Sequence, residues 1–315
     1  MPAKLTGSAL DRALHCGAAF ALPAVSRDSA DASRGRQVHA YLERLVTGTP
    51  RDEALAAVPD DVRELCAGID TSQVCAGEAE VSYAYNVRTG RARRTDTPGR
   101  SYEDGADEIP GTMDRVHRDE TGRPVVTDWK NTAYSVDLEA ARAQVEFYAL
   151  CAARECGHPS AGCAIAVITD DGALAWYRWH LDEDDLALVA QRVRRAWDRV
   201  QTARSERAEY ERTTGLPWVP DVSRGSWCRY CPAQIYCPAV RAAVSLGGAM
   251  PAEVTPELVA AAFLRAQDLA QAEKELRAAV GLYHDDHGPI PLEDGRVVRR
   301  DGRGSLRVLG SRKAA

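Results

Sequence analysis

The sequence predicts an α/β protein: a central mixed sheet flanked by helices, with a helical N-terminal cap and a C-terminal helical extension. Three observations predict it. Apolar residues recur at helical spacing up to about Cys66, strand-like alternation takes over from Glu78 to about Asn131, and helix and strand patterns then take turns from Asp137 onward. The order is helices, three strands, helix, two strands, helix, which is how an α/β core with a mixed sheet is written.

SALDRALHCGAAFAL spaces Leu10, Leu14 and Phe20 at helical intervals, a second helix begins at Ser33 and ends at Gly48, and a third covers Asp52 to Cys66. EAEVSYAYNV alternates as a strand. GTMDRVHRD and PVVTDWKN follow as two more, and DETGRP joins them as a hairpin. From Asp137 to Glu155, Leu138, Val145, Tyr148, Ala149 and Ala152 fit a buried helix; CAIAVITDDGALAWYRWHL then reads as two strands around an Asp-Gly turn. A long amphipathic helix runs from about Glu183 to Arg207. Beyond a cysteine-rich loop at 225–240, a helix from about Thr255 to Tyr283 precedes a short hairpin, GPIPLEDGRVV. The expected divisions are a cap at 1–75, a sheet core at 76–210, the cysteine loop at 211–245 and the extension at 246–315.

With 315 residues, 45% hydrophobic and 27% charged, the chain can bury one large core or a core with a small appendage. No apolar run approaches the roughly 18 residues that span a bilayer, and no charged segment followed by an apolar one opens the chain. The expectation is a cytoplasmic protein with no membrane partner. Nine cysteines is an odd number, and three of them are clustered, so metal ligation is expected before disulfide pairing. A net charge of −6 does not advertise nucleic-acid binding. Locally, Arg88, Arg91, Arg93, Arg94 and Arg100 crowd one stretch, and Arg296, Arg299, Arg300, Arg303, Arg307, Arg312 and Lys313 crowd another. Each run reads equally well as a phosphate contact or as a solvated surface.

Two acids and a lysine converge on the expected hairpin. GTMDRV carries Asp114, and VVTDWK carries Asp128 and Lys130, two apart and hence on one face of a strand. Phosphodiester hydrolysis needs cations at the scissile phosphate, and hard carboxylate oxygens hold Mg²⁺ or Mn²⁺ there. Only Lys4, Lys130, Lys274 and Lys313 are lysines among the 40 basic residues, so a lysine at 130 suggests a need for a compact, titratable ammonium.

This set resembles the PD-(D/E)XK nuclease superfamily, and within it the RecB-type branch, whose pattern is Gly-x-x-Asp, a hairpin, Asp-x-Lys, then Gln-x-x-x-Tyr. The matches are Gly111 with Asp114, Asp128 with Lys130, and Gln144 with Tyr148, the last pair on one helix face. Gly35 with His39 looks like the branch's Gly-x-x-x-His element, whose histidine is a further metal ligand. The resemblance implies a restriction-endonuclease-like core and a DNA substrate. It also implies Mg²⁺ or Mn²⁺ on His39, Asp114, Asp128 and the Trp129 carbonyl, with exonuclease action on single strands or duplex ends. Glu80, on the strand before Asp114, is a candidate further acid near the site, as in some relatives; its alternative reading is a strand-edge glutamate facing water.

WCRYCPAQIYCPAV holds Cys228, Cys231 and Cys237 in a C-x2-C-x5-C array. A four-thiolate site needs one ligand more, and Cys16 sits in text resembling the N-terminal cysteine segment of iron-sulfur RecB-type nucleases. These include the CRISPR-associated exonucleases and AddB-type subunits. A structural 4Fe-4S cluster is the expectation, with zinc the alternative. Cys66, Cys75, Cys151, Cys156 and Cys163 read as small buried hydrophobes. No helicase phosphate-binding loop is present, so unwinding would come from a helicase or recombination partner. The extension from about 250 looks like that of phage-type RecB-like proteins. The competing class is a catalytically silent module that binds DNA or a partner and keeps a zinc or iron-sulfur site.

Overall fold

The sheet is built around its most apolar strand. Every residue of β5 (Ala161–Ile168, AGCAIAVI) is buried, as expected of a strand covered on both faces. In the computed structural model, the described residues are 2–25, 30–74, 76–95, 105–131, 137–169, 171–222, 224–228 and 231–244. In the C-terminal part they are 260–261, 263–267, 280, 284–285, 288–292, 297–300 and 306–309. The other strands of the main sheet are β1 (Glu78–Asn86), β2 (Ala92–Arg94), β3 (Glu108–Arg118), β4 (Pro124–Asn131) and β6 (Leu174–Leu181). Their order is β2-β1-β3-β4-β5-β6. All neighbours are antiparallel except β4 and β5. A parallel pair needs a crossover, and α5 (Leu138–Cys156) supplies it.

Helices cover both faces. On one lie α1 (Leu10–His15), α5 and α6 (Glu183–Thr214), around Met113, Val126, Val145, Phe147, Leu150, Ile165 and Val193. On the other lie α2 (Ala30–Val46), α3 (Arg51–Ala56) and α4 (Asp60–Gly68), around Val38, Leu42, Val62, Ile69, Trp129 and Ile168. Helix ends are set by local chemistry. The Asp137 side chain accepts from Ala140 N at the start of α5, Asp182 and Asp185 form a capping box on α6, and Gly157 and Gly215 end the two helices in left-handed conformation.

Several boundaries differ from the sequence expectation. The first helix is three short pieces, because Cys16 is extended (φ −144°, ψ 97°) between α1 and a 3₁₀ turn at Gly17–Phe20. The freed carbonyls are met by arginines of α6: Arg199 donates to His15 O, Arg204 to Phe20 O and Arg207 to Ala21 O. The helix expected over Asp52 to Cys66 is two, α3 and α4, since Pro59 cannot continue a helix and starts the second. The second helix starts at Ala30, before Ser33, and α6 runs on to Thr214 instead of Arg207. The arginine stretch after β1 holds the unforeseen β2, and three of its guanidiniums pair with acids: Arg88 with Asp107, Arg93 with Glu108, Arg94 with Glu78. Arg100 and Cys75 lie outside the described residues.

The chain divides into two compact units, Met1–Val240 and Arg241–Ala315, and α7 (Pro238–Val244) spans that boundary in sequence. The second unit contains a three-stranded antiparallel sheet of β7 (Ile290–Pro291), β8 (Val297–Arg300) and β9 (Leu306–Leu309). Its first two strands are the expected hairpin. Most of the helix expected at Thr255 to Tyr283 lies outside the described residues; 263–267 are helical. Among the described residues no helix is long and apolar enough to cross a membrane.

Glu146 on α5 is almost fully buried and bonds Arg142 on its own helix and Arg192 on α6, which ties the two helices together. Glu146→Ala should lower the free energy of unfolding by about 2 kcal/mol in a urea titration, because both guanidiniums lose a charged partner. Unchanged stability would show that the clamp contributes nothing.

Candidate active site

Three carboxylates stand in one row across three strands. Ala79 pairs with Arg115 and Val81 with Met113, which sets Glu80 on β1 opposite Asp114 on β3. The β3–β4 ladder reaches Arg115 against Thr127 and stops; one step further, Asp114 faces Asp128. Both ladders are thus interrupted at the acids. Glu80 has φ +49°, a left-handed conformation that a non-glycine residue adopts only under constraint. Like charges facing one another across strands repel, so the row has the form of a site for a cation.

Helix α2 adds an imidazole from above the sheet. His39 Nδ1 lies 3.3 Å from Asp114 Oδ1. One ligand atom from each of His39, Glu80 and Asp114 lies within 4.8 Å of the others. The second oxygen of Asp114 accepts from Trp129 N at 2.8 Å, so the side chain satisfies a backbone donor where the ladder has ended. On β4, Lys130 Nζ is 2.7 Å from Asp128 Oδ2 and donates to Gln144 Oε1 at 3.1 Å. The Gln144 amide closes the circuit, donating to Asp128 Oδ1 at 3.0 Å and to the Tyr148 hydroxyl at 3.3 Å. The structure therefore brings His39, Asp114, Asp128, Lys130, Gln144 and Tyr148 to one place and adds Glu80. It contributes Trp129 through its backbone, while the indole packs in the α2 core.

The two buried aspartates are driven apart. Burial pushes the Asp114 carboxyl upward, but His39, Lys130 and the Trp129 N–H outweigh it, and the group lies below the usual carboxylate range. Burial dominates at Asp128, with the neighbouring Asp114 adding to it, and its pKa is raised although Lys130 opposes. Burial disfavours the charged form of His39, yet the Asp114 carboxylate overcomes it and raises the imidazole pKa.

Gly111 explains how the helix motif reaches the strand motif. A Cβ there would meet Tyr148 Cε1 at 2.4 Å and Phe147 Cε1 at 3.3 Å. Both rings are buried, so the bare backbone of β3 is what lets Tyr148 lie against the sheet and support Gln144.

A family model described as the PD-(D/E)XK nuclease superfamily matches residues 4–238. The chain belongs to that superfamily. Its members are nucleases that use divalent metals such as Mg²⁺ or Mn²⁺, and the family implies a DNA substrate. The six-stranded mixed sheet flanked by helices is the superfamily's α/β fold. His39, Glu80 and Asp114 form a group that could hold such a metal: hard oxygens with one imidazole. Among curated proteins none matches the chain. A solved structure described as "Crystal structure of SSO0001" is similar at 19% identity and a TM-score of 0.33, covering 73% of this chain and 84% of that one.

The PD-(D/E)XK unit also gathers four cysteines. Cys16, Cys228, Cys231 and Cys237 line a cavity of about 180 Å³. The loop is held by Cys231 N donating to Cys228 O and by Gln234 Nε2 donating to the same carbonyl, and Val25 N donates to Pro232 O to tie it to the N-terminal segment. The His15 ring stacks on Trp227 at 4.2 Å. Gly17 lets the N-terminal segment lie against α6, since a Cβ there would strike Arg199 O at 2.5 Å. Of the other cysteines, Cys66, Cys151 and Cys163 are buried and Cys156 is half-buried.

Gly111→Ala should cost about 1–3 kcal/mol by overpacking against Tyr148 and Phe147. It should also displace Gln144, so that nuclease rate falls further than the fraction unfolded accounts for. A variant with wild-type melting and wild-type rate would contradict this packing argument.

Proposed function

We propose that this protein is a metal-dependent DNA exonuclease of the RecB-type branch, acting on single strands or duplex ends, with a structural 4Fe-4S cluster. The observation that carries the catalytic part is the row Glu80, Asp114 and Asp128 with His39 and Lys130 closing on it. The strained backbone of Glu80 and the facing carboxylates fit a divalent cation. His39, Glu80, Asp114, Asp128 and the Trp129 carbonyl would hold Mg²⁺ or Mn²⁺. Such an ion supplies positive charge at the scissile phosphate and lowers the pKa of water.

The remaining work falls to the chain itself. Lys130 orients the attacking water and offsets charge on the phosphate, and Asp128 keeps the ammonium in place. Gln144 fixes Lys130 and Asp128 together, and Tyr148 braces Gln144. Water adds to phosphorus, the bond to the departing oxygen breaks, and that oxygen takes a proton. The imidazole of His39 makes Mn²⁺ as apt as Mg²⁺.

For the cluster, the support is the shared cavity and a half-buried cation beside it. A cavity of about 180 Å³ is far more than one water-sized site needs. Burial lowers the Arg12 pKa, and the groups opposing that are Cys231, Asp11, Cys16 and Cys228. Arg12 has Asp11 beside it and donates to Trp227 O, and metal-bound thiolates would add to the negative charge around it where neutral thiols would not. Because Cys16 and the loop cysteines bracket the sheet, the cluster would close the chain on itself and stabilise it by constraining the unfolded state.

Anaerobically purified protein should absorb broadly near 400 nm, and Cys16→Ser should lose that band. In the same preparation, labelled DNA should be cut with Mn²⁺, and Asp128→Ala and Lys130→Ala should each lose at least about 100-fold in rate. A colourless protein that binds DNA and never cuts it would replace this reading with a zinc-stabilised binding module.

A further inference from the structure

The sheet ends, two strands beyond Asp128, in an edge strand rich in aromatic and basic residues. Asp128 on β4 pairs with Ile165 on β5, and Ile165 with Tyr177 on β6. Residues in one row point to the same face, so Tyr177 lies on the face of Asp128 and Gln144, about 10 Å from the carboxylate row. The ring is 46% exposed. Between β6 and the first turns of α5 runs a groove of about 440 Å³, lined by Leu138, Glu139, Arg142, Ile165, Tyr177 and Trp179, with Arg178 at its rim. The Arg142 guanidinium lies 5.3 Å over the Trp179 ring. Glu139 is the one acid among these residues.

This combination is the chemistry of a stacking platform: an exposed flat ring beside a guanidinium held over an indole. A duplex keeps its base faces inside the stack except at its terminal pair, whereas each base of an unpaired strand can offer a face to Tyr177. Resting on the nuclease reading of the neighbouring carboxylates, we propose that the groove holds an unpaired nucleotide beside the scissile phosphate. Tyr177 stacks on its base, and Arg142 faces the backbone. The consequence is a preference for single-stranded over fully paired DNA.

The test uses the full chain with Tyr177→Ala and Tyr177→Phe. Anisotropy of labelled oligothymidylate and of a blunt duplex is measured in Ca²⁺, with Mn²⁺-dependent cleavage in parallel. Tyr177→Ala should weaken single-strand binding about tenfold and raise KM with kcat retained. Duplex affinity should stay unchanged, and Tyr177→Phe should behave as wild type. Single-strand affinity unchanged in Tyr177→Ala, or an equal loss on both DNAs, would overturn the proposal. Absence of cleavage by the wild type would remove the nuclease reading alone, since the anisotropy comparison still decides the groove.

Discussion

Repulsion within the row Glu80, Asp114 and Asp128 is the constraint around which the rest of the site is arranged. Regular pairing across β1, β3 and β4 would set three carboxylates side by side, an arrangement that a sheet does not favour. The chain relieves it locally. The ladders break, Glu80 turns into a left-handed conformation, Asp114 takes the Trp129 N–H and the His39 imidazole, and Asp128 takes Lys130. These compensations are partial, because Asp128 remains pushed toward its protonated form by burial. What is left over is an appetite for positive charge.

The same unit holds its N-terminal segment through α6. Breaking the first helix at Cys16 frees backbone carbonyls, and a guanidinium with several donors in a fixed fork suits that task better than an ammonium. Arg199, Arg204 and Arg207 each reach back to one such carbonyl, and Arg204 reaches Ala3 O as well. Cys16 is thereby set beside the loop that carries Cys228, Cys231 and Cys237. The bias of this chain toward arginine has a structural use here, and Lys130 stands out against it.

Much of this was legible in the sequence. Period-two alternation in VVTDWK puts Asp128 and Lys130 on one face, the four-residue spacing of Gln144 and Tyr148 puts both on one side of α5, and the Asp-Gly turn marks the hairpin after β5. What escaped did so for physical reasons. Pro59 divides a stretch whose apolar spacing continues unbroken through α3 and α4. Strand β2 is three residues long and rich in arginine, with no alternation to read. The last turns of α6 lack an apolar face and are held instead by pairs such as Arg207 with Glu211 and Arg212 with Glu209. Glu80 was legible only as a candidate with a water-facing alternative, since its direction depends on a backbone conformation that no local pattern announces. The clearance that Gly111 gives Tyr148 appears only once helix and strand are packed.

The central claim is that the carboxylate row takes a divalent cation, and its most direct test is thermal unfolding with and without Mn²⁺. Saturating Mn²⁺ should raise the melting temperature of the wild type by about 5 °C or more. Asp114→Asn and Glu80→Gln, which remove charge and keep shape, should lose that shift. A wild type indifferent to Mn²⁺, or an equal shift in both variants, would contradict the claim.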